Sequence, residues 1–126
     1  MAGQKLTPGQ QRRIDEILQF QRVVDHVKGL VAELESNRAA RSKIIDNICA
    51  TIARELSQLR QRSLIANVGT LADTAGALAV LAARSGGGIN FKIRALLEGV
   101  HSLNMQLDQS LKAAMAPEKD KEQKSF

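Results

Sequence analysis

Apolar residues recur along the first third of the chain at alternating steps of three and four, Ile17, Phe20, Val24, Val27, Val31 and Leu34, with Ile14 extending the stripe. That spacing puts seven side chains on one stripe of an α-helix, the pattern of a coiled-coil-like seam. The residues ahead of it predict the start. Thr7 can serve as N-cap, Pro8 sits where a missing N–H costs nothing, and Gln10 completes a capping box. Glu35-Ser36-Asn37 predicts the end, because Asn tolerates a left-handed cap and Ser or Asn can start the next helix. The first helix is therefore expected over residues 8–35.

The last third repeats the pattern. Ile93, Leu96, Val100, Leu103 and Leu107 step 3-4-3-4, with Leu97 and Leu111 alongside, so a helix is expected over residues 90–115 with Asn90 as its cap. Ala116-Pro117 stops it, and residues 117–126 read as a disordered tail of mixed charge. Pro8 and Pro117 are the only prolines, so nothing between them is forced out of helix.

Between these lies an uninterrupted stretch, residues 39–84, which ends at Ser85-Gly86-Gly87-Gly88. As one helix it would span about 65–70 Å, whereas a compact domain of this length has a radius of gyration of about 14 Å. It must kink, protrude or be covered by something else. At about 100° per residue, Ile45, Ile48, Ile52, Leu56 and Leu59 share one face. Leu64, Val68, Leu71, Ala75, Leu78 and Ala82 share another, rotated by about 120°. The switch falls at Arg60-Gln61-Arg62-Ser63, which contains no Gly or Pro. The expected fold is therefore all-α: three helices with a long central one, in an oligomer, forming a single domain over residues 1–116. The alternative is an up-down four-helix bundle with a turn at residues 60–63.

A second stripe runs along the same half. Gly69, Ala72, Gly76, Ala79 and Ala83 also step 3-4-3-4, on a line about 100° from the Leu/Val seam. Two glycines inside a helix cost about 1 kcal/mol each, so a packing reason is expected. Small residues at this spacing admit a second helix backbone at close range. This stripe is the expected surface for a partner or a second copy.

Composition narrows the picture in three ways. Aromatics make up 2% of residues, so the core must be aliphatic, which suits helices better than a sheet. The lone cysteine, Cys49, excludes an internal disulfide and reads as a small buried hydrophobe. The net charge of +5 raises nucleic-acid binding, but no third of the chain carries more than two net positive charges. The best basic group is Arg54, Arg60 and Arg62 with Lys43, a set that could hold phosphates. The scarcity of aromatics argues against stacking on single-stranded bases. Met1–Lys5 leads into no apolar run, so the expected compartment is the cytoplasm.

Chemistry-bearing patterns are thin. His26 and His101 each flank a seam, and neither has a second histidine four residues away. Glu98-Gly99-Val100-His101 fits the E-x-x-H spacing of di-iron sites once, without the mates such a site needs, so no metal or cofactor is expected. His101-Ser102-Leu103 shares only His-x-Leu with histidine-phosphotransfer motifs. Gly86-Gly87-Gly88 follows no strand and lacks phosphate-loop spacing, so it reads as a connector. A membrane hairpin over residues 64–83 is opposed by Asp73 and by the weak apolarity of alanine. The expected function is that of a non-catalytic helical interaction or assembly protein: an adaptor, a chaperone-like partner or a self-associating structural subunit. The alternative is a nucleic-acid-associated subunit.

Overall fold

All seven seam residues from Ile14 to Leu34 are buried, on a helix that runs Pro8–Ser36 (α1). The computed structural model describes residues 6–84 and 88–116. Within them the chain forms four helices and no strand: α1, α2 (Ser42–Ala66), α3 (Leu71–Ala83) and α4 (Ile89–Met115). The expected tail at 117–126 and the connector residues 85–87 lie outside the described residues.

The capping box at the start of α1 forms as its residue types require. The Gln10 N–H donates to Thr7 Oγ1 (3.0 Å) and the Thr7 N–H donates to Gln10 Oε1 (3.0 Å). At the far end Asn37 is not left-handed; its side-chain amide instead donates to the Glu33 carbonyl (2.8 Å). In α4, Ile93, Leu96, Val100, Leu103 and Leu107 are all buried, while Leu97 is exposed. Asn90 is already helical, and its side chain accepts from Arg38 (3.0 Å); Gly88, at φ 83°, is the N-cap.

The middle segment is not one helix, and its break is not at residues 60–63. Arg60 to Ser63 stay helical, and the buried Ser63 hydroxyl is satisfied within the helix by donating to the Leu59 and Arg60 carbonyls (2.7 and 3.1 Å). The break comes at Asn67–Thr70. Asn67 adopts the left-handed conformation (φ 56°, ψ 54°), its N–H donates to Leu64 O, and the Val68 N–H donates to Ser63 O (3.2 Å each). That pair of bonds is a Schellman motif, with buried Val68 as its hydrophobic anchor. Gly69, at φ 50°, continues the turn in a conformation that disfavours a side chain. The long-helix expectation fails on these three residues.

The helices form a closed ring. Each packs against its neighbours in sequence and α4 closes onto α1, whereas α1 and α3, and α2 and α4, make no close backbone approach. Cross-links between helix ends show that neighbours run antiparallel. They also solve a shared problem, the unsatisfied carbonyls at each helix C-terminus. Arg13 donates to Ala66 O and Asn67 O at the end of α2 (3.1 and 3.4 Å). Lys92 donates to Arg84 O and Ala82 O at the end of α3 (2.6 and 3.4 Å). Gln10, already part of the capping box, also donates to Ala114 O and Ala116 O at the end of α4 (3.2 and 2.8 Å). None of α1, α2 and α3 has a basic residue in its own last turn, so for α2 and α3 the cation comes from another helix.

Candidate interaction surface

The small-residue stripe has an occupant within the chain. Ala72, Gly76, Ala79 and Ala83 lie on α3 within about 60° of one another. That sector faces α2: a Cβ built on Gly76 would lie 2.9 Å from Arg60 Cδ, and Ala82 and Ala83 share a groove with Cys49 and Ala53. Ala72 and Ala79 are buried, and Gly69 is not on the helix at all. The stripe thus lies against α2 of the same chain, with the Arg60 side chain over Gly76, while Ala83 at its far end stays exposed.

A second close approach went unsignalled by any repeat. A Cβ on Gly99 of α4 would run into both Leu78 methyls and lie 2.8 Å from its Cγ, so Gly99 is where α4 meets α3. Gln106 also links these helices, donating to Thr74 Oγ1 (2.8 Å).

The four basic residues do not converge. All are exposed on α2. Lys43 and Arg54 point within about 20° of each other but stand about 16 Å apart along the axis. Arg60 and Arg62 point about 160° apart, and the Arg60 stem lies over Gly76. No common phosphate track results from this placement.

His26 and His101 are exposed on α1 and α4, and among the described residues no three His, Cys, Asp or Glu side chains gather as metal ligands would. Cys49 is buried at the edge of an open groove of about 540 Å³ between α2, the end of α3 and the start of α4. Burial raises its thiol pKa, with Lys92 pulling down and Asp46 pushing up. The Lys92 amine is engaged by α3 carbonyls. Apart from Asp46, Arg84 and Lys92, the groove walls are small and aliphatic.

The outward side of α3 is unusual in a different way. Only Asp73 and Thr74 of its thirteen residues are polar. A helix that borders solvent ordinarily turns a charged face outward, and one apolar all round is ordinarily covered. Here Ala77 and Val80 face outward and are exposed, Val80 to 59%. Leu64, near the end of α2, is exposed to 54%, and Ile65 beside it is more so. Among the described residues no helix is long and apolar enough to cross a membrane. The chain matches no protein-family model, no curated protein and no solved structure.

Proposed function

We propose that this protein is a helical interaction and assembly subunit, working by packing helix on helix, with a second copy of itself as partner. The observation that carries this is the outward face of α3, where exposed Ala77 and Val80 fill the middle of a line that carries charge only at its ends, Asp73 and Arg84. Covering such a face gains roughly 25 cal/mol for each Å² of apolar surface removed from water. Self-association remains the reading, and its surface moves from the small-residue stripe to the neighbouring face of the same helix, about 100° round from it. The nucleic-acid reading has weaker support, because Lys43, Arg54, Arg60 and Arg62 do not share a face. Sedimentation equilibrium over a concentration series tests the proposal: the mass should rise above 13.7 kDa with concentration. A mass that stays at one chain throughout would overturn self-association.

A further inference from the structure

The outward line of α3 reads Asp73, Ala77, Val80, Arg84, four exposed residues at steps of four, three and four. On the helical phase they fall within about 60°. Arg84 directly follows the last helical residue and continues the line. The pattern is symmetric about its centre, with an acid at one end, a base at the other and two small apolar residues between them. Among the described residues neither the Asp73 nor the Arg84 side chain makes an ion pair; the one such pair is Arg38 with Glu35.

We infer that this line is a two-fold contact in which a second copy of the chain lays its own α3 antiparallel on the first. This rests on the self-association reading above and specifies its geometry. An antiparallel copy brings Asp73 opposite Arg84 of the second chain, and Arg84 opposite its Asp73. In the same register Ala77 faces Val80 of the second chain and Val80 faces its Ala77, so the middle of the contact is apolar. A parallel copy would set Asp73 against Asp73 and Arg84 against Arg84, so the charges select the antiparallel arrangement. Two-fold self-contacts require one patch to be complementary to itself, which this line is. The helix dipole also favours an acid at the first turn and a base at the last. It does not require that both lie in register with Ala77 and Val80 on the solvent side. Thirteen residues of helix span only about 20 Å, so the contact area falls at the low end for specific interfaces and the dimer is expected to dissociate readily.

Charge reversal tests the pairing. Asp73→Arg and Arg84→Asp each replace two attractive contacts with two repulsive ones, and each should raise the dimer dissociation constant about tenfold or more in low salt. The double variant Asp73→Arg/Arg84→Asp restores opposite charges across the two-fold and should bring dimerisation back towards wild type. Sedimentation equilibrium reads the constants, with far-UV circular dichroism confirming that each variant is helical. Losing the dimer in both single variants and recovering it in the double variant supports the antiparallel contact. A dimer that ignores the single reversals, or that the double variant fails to restore, overturns this contact and leaves self-association standing on another surface. A wild-type chain that is monomeric at every concentration overturns both. Should the charges serve only the α3 dipole, the variants would lower thermal stability and leave the dissociation constant unchanged, which also overturns the contact.

Discussion

Gly99 offers the sharpest test of the packing. It sits inside α4 against Leu78, a core residue only 7% exposed, and a Cβ there would collide with that side chain. Replacing a helical glycine by alanine gains about 1 kcal/mol from backbone propensity. Forcing a methyl into a packed core costs about 1–3 kcal/mol. At Gly99 the second effect should win, leaving the protein unchanged or up to about 2 kcal/mol less stable. Gly29 supplies the control. It lies inside α1 with nothing within 4 Å of its Cβ position, so Gly29→Ala should show the propensity gain alone, about 0.5–1 kcal/mol. Urea unfolding with an unchanged slope would measure both. The collision can also be removed from the other side. In a Leu78→Ala background, itself costing about 2–5 kcal/mol, Gly99→Ala should become stabilising. Finding Gly99→Ala as stabilising as Gly29→Ala, or equally costly with and without Leu78, would refute the close approach of α3 and α4.

The turn between α2 and α3 gives a second test, since Asn67 is left-handed at φ 56°. Asn67→Gly should leave thermal stability equal or higher, while Asn67→Ala should cost about 1 kcal/mol; equal effects would contradict the turn. Cys49 gives a third. Burial raises its folded thiol pKa, so its contribution to stability is complete below the ordinary thiol range near 8.5 and is lost as pH rises through the folded value. Unfolding free energy should therefore fall more between pH 7 and pH 10 in wild type than in Cys49→Ala, and parallel pH profiles would contradict the burial.

The outer helices were legible because each carries one stripe and one job. Every residue from Ile14 to Leu34 on the 3-4 spacing is buried, and the Thr7/Gln10 box forms. The middle of the chain was half legible. The rotation of about 120° between its two seams reflects the real reversal of direction, but the reversal lies beyond the polar run that suggested it. Ser63 hides its hydroxyl on its own helix, and Leu64, counted in the second seam, is exposed. Asn67-Val68-Gly69 looked helical because a 3-4 repeat passes through a tight turn without missing a step. The stripe from Ala72 to Ala83, expected to face a partner, lies against α2 of the same chain, and local spacing carries no information on which helix that would be. Gly99, a lone glycine outside any stripe, and the C-terminal caps from Arg13, Lys92 and Gln10 depend on which helix ends meet in space. Local pattern does not encode that.

Self-association through α3 is tested most directly by comparing Val80→Lys with Leu18→Lys in sedimentation equilibrium beside wild type. Both residues are exposed; Leu18 lies on α1, which makes no close approach to α3. Wild type and Leu18→Lys should both gain mass with concentration, while Val80→Lys should stay at one chain of 13.7 kDa with its helix content intact. A Val80→Lys protein that associates as wild type does would contradict the assignment of this face.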